Sequence, residues 1–338
     1  MQKDSIDSKK NTEIIEVEVE IFDYFNGLQD LQEKKIKCVG DAFERFSEDA
    51  LRILRALRFA ATLPNNFAIE SSTKMAIFEL KNLLKHISKE RINAEISRLI
   101  LGKNVTQILS EFKEIFLQEM PILSSLSDSE FKRNITALNY APNDLEVRLS
   151  VLFFGLENVS KTLKSLKFSR KNIANITAIL GVEKVIESSL KSSLDSIILD
   201  KKSLKKLLLK YEKYPHANIV LKWIEMRVAL DSVALKSSLD SKKSSNFKPK
   251  KHNLDSKKML DLYSEITSKN ECFYISHLAI NGSDILGLFR ALNVEFNGSK
   301  IGQILNILIV EIIEEKLQNN KEILLKRARE IIESNLMQ

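Results

Sequence analysis

Hydrophobic and polar residues follow two different rhythms along this chain. Near the start, Ile15, Val17, Val19 and Ile21 alternate with Glu16, Glu18 and Glu20, the period-two pattern of a half-buried strand whose acidic face meets water. Residues 23–31 (DYFNGLQDL) read as a turn and short helix with Gly27 at the bend, and 35–39 (KIKCV) as a second short strand ended by Gly40. Beyond Ser47 the period lengthens to that of a helix. The pattern predicts helices over residues 47–63, 74–84, 89–101 and 105–116, then over 145–156, 159–166, 170–180, 203–214 and 218–235, with three more after residue 258. Pro64 and Pro215 stop two of them, while Gly102, Gly155 and Gly181 fall at or near helix ends, where a left-handed cap is common. Trp223 sits in an apolar helix and reads as core.

One stretch has neither rhythm. Residues 236–258 (KSSLDSKKSSNFKPKKHNLDSKK) are rich in Ser and Lys, contain Pro249, and offer only Leu239, Phe247 and Leu254 as sizeable apolar groups. Too little surface is available there to offset the entropy of ordering, so the segment reads as a linker. Its Asp-Ser-Lys-Lys tetrads at 240–243 and 255–258 repeat the one at 7–10, within a polar, low-complexity start.

Composition narrows the picture. Only 9 Gly and 5 Pro occur in 338 residues, against averages of about 7% and about 5%. That scarcity argues against an all-β sandwich or barrel, which needs frequent turn signals. It also leaves no G-x-G-x-x-G or G-x-x-x-x-G-K loop to cradle phosphates. Cys38 and Cys272 are isolated, the polar N-terminal stretch has no secretory signature, and residues 301–313, the most apolar run, are interrupted by Gln303, Asn306 and Glu311. The expectation is a mainly α, multi-domain, cytoplasmic protein with no membrane partner. A formal charge of +7 favours an anionic partner, with nucleic acid the leading candidate. None of the four histidines has a partner at metal-ligand spacing.

The segment from Glu44 (ERFSEDALRILRALRFAATL) sets Asp49, Arg52, Arg55 and Arg58 at steps of three. Each such step moves about 60° around a helix axis and about 4.5 Å along it. Asp49 and Arg52 can therefore offer an acceptor and a donor fork side by side. Cytosine and adenine each present an exocyclic amine beside a ring-nitrogen acceptor, which such a pair complements; uracil and guanine leave groups unmatched. Spacing alone leaves open an ordinary surface ion pair. Farther along, Lys201, Lys202, Lys205, Lys206, Lys210 and Lys213 suit RNA phosphate contact or a solvated helix face equally.

The residues Glu48-Asp49-Ala50-Leu51-Arg52 closely resemble the E-D-x-x-R helix of the tRNA nucleotidyltransferase and poly(A) polymerase family, the bacterial-type, class II CCA-adding enzymes. Other segments follow in that family's order. Residues 23–31 are similar to its D-P-x-G-G-x-x-D-L turn, and Val39-Gly40-Asp41 with Glu44-Arg45-Phe46 to its V-G-D-P-x-x-R-F lead-in. Ser88-Lys89-Glu90-Arg91-Ile92 with Glu95 matches its S-x-E-R-I-x-x-E helix, and residues 278–284, 301–305 and 319–325 resemble its tail.

That resemblance implies an elongated helical neck, body and tail. The segments would be a tail at 1–12, a strand-turn-strand remnant of the catalytic head at 13–43, a neck at 44–117, a body at 118–235, a linker at 236–258 and a tRNA-binding tail at 259–338. It implies that Asp49 and Arg52 read the base of CTP or ATP, that Arg55 and Arg58 bind the nucleotide, and that tRNA is the partner, with Lys205, Lys206, Lys210 and Lys213 as candidate RNA contacts. The family's catalytic head, with its Gly-rich turn and D-x-D pair for Mg²⁺, has no counterpart in these residues. Glu16, Glu18 and Glu20 have no such turn before them and read as a solvated strand face. The chain is therefore expected to bind no Mg²⁺ alone and to lack catalytic residues, its head being lost, interrupted in frame or encoded upstream, or supplied by another chain. The alternatives are a stand-alone helical RNA-binding protein derived from such an enzyme, or the matching part of a poly(A) polymerase.

Overall fold

The computed structural model describes residues 20–64, 66–191, 200–214, 218–241, 255–295 and 298–336. The predicted strand at 15–21 lies almost wholly outside them. The chain is mainly α, as its periodicity predicts, with one two-stranded parallel sheet among the described residues. Strand β1 (Lys35–Ile36) does form, and its partner is β2 (Ala68–Ile69), in the register Lys35 to Ala68 and Ile36 to Ile69. Before it, α1 (Gly27–Gln32) starts where the Asp23 carboxylate accepts from the N–H groups of Gly27 and Leu28 at 2.7 and 2.9 Å.

The predicted helix over 47–63 is two helices. In α2 (Ala42–Glu48) the Asp41 carboxylate caps the Glu44 N–H at 2.9 Å; α3 runs from Leu51 to Thr62. Between them Asp49 is extended, with φ −146° and ψ 98°. Its side chain accepts from the Leu51 N–H at 3.1 Å, so the carboxylate satisfies a free donor at the start of α3. Apolar periodicity runs straight through this break, which is why the pattern does not reveal it.

Helices α4 (Ser71–Leu80), α5 (Lys89–Ile100), α6 (Val105–Glu111) and α7 (Lys113–Glu119) follow. Phe112 separates the last two, fully buried and stacked on Phe78 with ring centroids 5.3 Å apart. Helix α8 (Asp128–Ala137), opened by a Ser127–Glu130 capping box, has no counterpart in the predicted set. Its core side includes Asn134, which is fully buried and donates to the carbonyls of Leu152 and Phe154. A polar residue on the core face hides the helix from a hydrophobicity pattern.

The body continues through α9 (Leu145–Leu152), α10 (Val159–Ser165), α11 (Arg170–Lys191), α12 (Lys201–Lys210) and α13 (Ile219–Ser241). Trp223 is fully buried, and its indole N–H donates to Glu183 at 2.8 Å. Helix α13 extends to Ser241, and α14 (Ser256–Ser268) begins before residue 258, so helix enters the predicted linker from both ends. Residues 242–254 lie outside the described ones. Four helices rather than three follow residue 254: α14, α15 (Gly282–Ala291), α16 (Gly298–Ile313) and α17 (Lys321–Leu336).

Two hydrophobic cores result. One runs from Ala42 to Phe273, and a smaller one gathers Ile280, Ile285, Phe289, Leu308 and Leu324 among α15, α16 and α17. The tail motifs named above serve this smaller unit as caps. Asn281 and Asp284 form a capping box on α15, Asn319 bridges to the backbone of His277 and Ala279, and Asn320 caps α17.

Glycine scarcity has a structural answer. Among the described residues nine non-glycine residues take positive φ, and six of them are asparagine, at 26, 66, 158, 218, 270 and 293. Asparagine tolerates the left-handed region best after glycine. Of the three glycines expected to cap helices, only Gly155 has positive φ, and Gly181 lies inside α11. Gly102 is required for another reason: a Cβ there would stand 2.4 Å from the carbonyl oxygen of Ala61. The end of α5 thus presses directly on the end of α3.

Candidate functional site

Helices α3 and α5 pack side by side and hold most of the residues that the motifs single out. Their ends are locked by the side chains of Asn104 and Arg148. Asn104 donates through Nδ2 to the carbonyls of Ala60 and Leu63, closing α3. Arg148, itself buried, donates to the carbonyls of Ile100 and Gly102 at 2.7 and 2.9 Å, closing α5. Free carbonyls at a buried helix end would otherwise each cost about 1–3 kcal/mol.

Two ion pairs tie the E-D-x-x-R segment to the S-x-E-R-I-x-x-E helix. Arg91 donates to Asp49 Oδ2 at 2.8 Å, and Arg58 Nε to Glu95 Oε2 at 2.6 Å. Sequence reading places Asp49 and Arg58 in a nucleotide site but overlooks Arg91 and Glu95 as their partners. The signal was present, because both partners belong to the second motif. The Arg58–Glu95 pair is nearly buried, with side-chain exposures of 15% and 10%. The Arg58 guanidinium also lies 4.1 Å from the Phe59 ring centroid. Arg58 therefore joins two helices and has little surface to offer a ligand.

Asp49 and Arg52 remain accessible at the rim, with side-chain exposures of 30% and 39%. Their side chains are not bonded to each other. The Arg52 guanidinium donates to Glu48 at 3.2 Å, and the Arg52 N–H to the Asp49 carbonyl at 3.0 Å keeps the two residues one turn apart. Burial acts to raise the Asp49 carboxyl, but the Leu51 N–H and the Arg91 and Arg52 guanidinium groups outweigh it and hold its pKa below the ordinary value. The result is an ionised acceptor beside a donor fork on a rigid helix start. Arg55 is exposed, and its side chain makes no ion pair or hydrogen bond among the described residues.

The predicted RNA lysines divide. Lys205 pairs with Glu271 at 2.7 Å and Lys206 with Glu314 at 2.8 Å, so both already hold carboxylates from distant parts of the chain. Lys210 and Lys213 are exposed, and the Lys213 ammonium lies 5.2 Å from the Tyr214 ring centroid. Among the described residues no group of three or more His, Cys, Asp or Glu could hold a metal ion. Nor is any helix among them long and apolar enough to cross a membrane.

Comparison with known proteins follows the same lines. A family model described as "Probable RNA and SrmB- binding site of polymerase A" matches residues 66–119, the segment that contains α5. The CCA-adding enzyme of Staphylococcus haemolyticus is 32% identical over 311 residues, spanning 92% of this chain and 68% of that enzyme. The CCA-adding enzyme of Bacillus cereus is 36% identical over 165 residues, or 48% of this chain and 41% of the relative. Among solved structures, the Bacillus stearothermophilus CCA-adding enzyme in complex with CTP shares the fold with a TM-score of 0.60 at 20% identity, covering 94% of this chain and 70% of its own. The Thermotoga maritima CCA-adding enzyme complexed with tRNA has a TM-score of 0.53 at 16% identity, covering 91% and 67%.

Fold and motif helices together define a mainly α protein that shares its fold with CCA-adding enzymes. By its match to the S. haemolyticus protein, the chain belongs to the CCA-adding enzyme family.

Proposed function

We propose that this chain is the neck, body and tail of a tRNA CCA-adding nucleotidyltransferase, acting in the cytoplasm on the 3′ end of tRNA with CTP and ATP. Asp49 and Arg52 read the Watson–Crick edge of the incoming base, and Arg55 faces its phosphates. Arg58 acts on nucleotide binding through α5, by fixing the helix that presents the other three. The observation that supports this reading best is the accessible Asp49–Arg52 pair at the start of α3, held rigid by Arg91 and by the Arg58–Glu95 pair. Such an edge accepts from an exocyclic amine and donates to a ring nitrogen, as cytosine and adenine both require.

Phosphoryl transfer in this reading belongs to a catalytic head, and Mg²⁺ to that head's carboxylates. The described residues offer no carboxylate cluster that fits the ion, so no step is derived through it. An apolar surface suits contact with such a head. Of fourteen exposed large hydrophobic residues among those described, eight fall between Ile21 and Phe43: Ile21, Phe22, Tyr24, Phe25, Leu28, Leu31, Val39 and Phe43. Exposed apolar clusters of this kind mark interaction sites.

The test is nucleotide addition to a tRNA transcript lacking its 3′ CCA, by this chain reconstituted with a family catalytic head. Wild-type protein should add C and A and reject UTP and GTP, and Asp49→Ala should relax that choice about 100-fold or more. Unchanged selectivity in Asp49→Ala would refute the base-reading role. tRNA binding with no addition would favour the stand-alone RNA-binding reading, and untemplated runs of A the poly(A) polymerase one.

A further inference from the structure

Between Asn158 and Val182 the chain carries five cations, Lys161, Lys164, Lys167, Arg170 and Lys171, and no acid. All five are exposed, and none forms an ion pair or side-chain hydrogen bond among the described residues. The acids that flank the run are already taken. Glu157 accepts from Lys184 at 3.1 Å, and Glu183 from Trp223 and Arg227 at 2.8 and 3.2 Å. Unpaired like charges repel one another, and no ion pair within the described structure offsets these.

The corner between α10 and α11 gathers part of this charge. Lys167 adopts positive φ (60°) after the last turn of α10, its N–H donates to the Lys164 carbonyl at 3.0 Å, and the chain reverses into α11. Lys164 and Arg170 thereby line one groove of about 410 Å³, together with Ser160, Thr177 and Tyr214. Lys213 stands over the Tyr214 ring and adds a sixth cation beside the groove.

We propose that this corner is an RNA-binding surface, in which Lys164 and Arg170 hold backbone phosphates and Tyr214 stacks on a base. Cations that track a backbone beside an aromatic platform are the recurring design for nucleic-acid strands. Hydroxyls from Ser160 and Thr177 suit phosphate and ribose oxygens. A membrane surface fits less well, because interfacial binding needs large apolar side chains beside the cations. No exposed large hydrophobic residue lies between Tyr140 and Leu235 among those described. The proposal rests on the reading that the chain holds tRNA, and it names a part of the body that the motifs leave unassigned.

The experiment measures binding of the full chain to a tRNA transcript lacking CCA, across a salt series. Three proteins are compared: wild type, Lys164→Gln/Arg170→Gln, and Lys202→Gln/Lys206→Gln, with thermal melts to verify folding. Each phosphate contact contributes about 0.7–0.9 to the slope of log K against log salt. The Lys164/Arg170 double variant should therefore lose about 1.5 from that slope and bind about 10-fold more weakly at 0.1 M salt. Lys202→Gln/Lys206→Gln should keep the wild-type slope, and Tyr214→Ala should weaken binding without changing it. Wild-type binding with an unaltered slope in the Lys164/Arg170 variant would overturn the proposal and leave the tRNA reading standing. Absence of wild-type tRNA binding would end both. Binding of wild type to anionic phosphatidylserine vesicles, lost in the variant while tRNA binding persists, would assign the corner to a membrane instead.

Discussion

Helix α12 and the corner between α10 and α11 are both lysine-rich, and they use their charge in opposite ways. In α12, Lys201 pairs with Glu265 and Glu271, Lys202 with Glu315, Lys205 with Glu271 and Lys206 with Glu314. Those acids come from α14, the segment after it and the turn that follows α16. Through Lys202 and Lys206 the helix thus fastens the body to the α15–α17 unit, whose hydrophobic core is separate. At the corner, Lys161, Lys164, Lys167, Arg170 and Lys171 form no ion pair among the described residues. Cation density therefore does not identify an RNA contact; the position of acids distant in sequence decides it. Helix α3 repeats the contrast on a smaller scale, with Arg58 buried against Glu95 and Arg55 free.

The largest expected effect belongs to the most buried pairing. Arg58→Ala strands the Glu95 carboxylate and should cost about 3 kcal/mol of stability, whereas Arg55→Ala should cost less than about 0.5 kcal/mol. Denaturant unfolding of both variants reads the difference, and equal losses would break the distinction between paired and free arginines. Next in size is the effect of charge reversal on RNA binding. Lys164→Glu/Arg170→Glu should weaken tRNA binding about 50-fold at low salt. Lys202→Gln/Lys206→Gln should change it by less than about threefold while loosening the tail, seen as faster hydrogen exchange at the α12–α16 contact.

Acid separates the two regions more gently. Hydrogen bonds from Lys269 and Lys201 pull Glu265 down to about 2, and those from Lys206 and Lys316 do the same for Glu314. A carboxylate with a depressed folded pKa stabilises above its unfolded value of about 4.5 and loses that contribution as pH falls toward the folded one. Tail docking should thus be unchanged from pH 8 to pH 5 and weaken between about pH 4.5 and pH 2. Radius of gyration across that range tests it, and opening near neutrality would contradict the pairing. The corner holds no carboxylate to titrate in this range.

Much of the helical plan was legible in the residues. Helix α5 runs from Lys89 to Ile100, within a residue of its predicted span, because Ile92, Ile96, Leu99 and Ile100 recur at helical spacing and bury one face. Helix α8 was not legible, since Asn134 occupies a core position and finds its partners in the carbonyls of Leu152 and Phe154. Asp49 was legible as a site residue but not as the break between two helices. Its extended backbone is held by contacts to Leu51 and to Arg91, forty-two residues away.

By itself the sequence determined the mainly α class, the two motif helices and the positive charge, because each is local: a periodicity, a short ordered string or a sum over side chains. Only the tertiary structure decided which charges remain available. Pairing depends on where carboxylates far along the chain come to rest, and local spacing holds no record of that. The acids that occupy Lys205 and Lys206 lie 66 and 108 positions away, and among the described residues no acid pairs with Lys164 or Arg170.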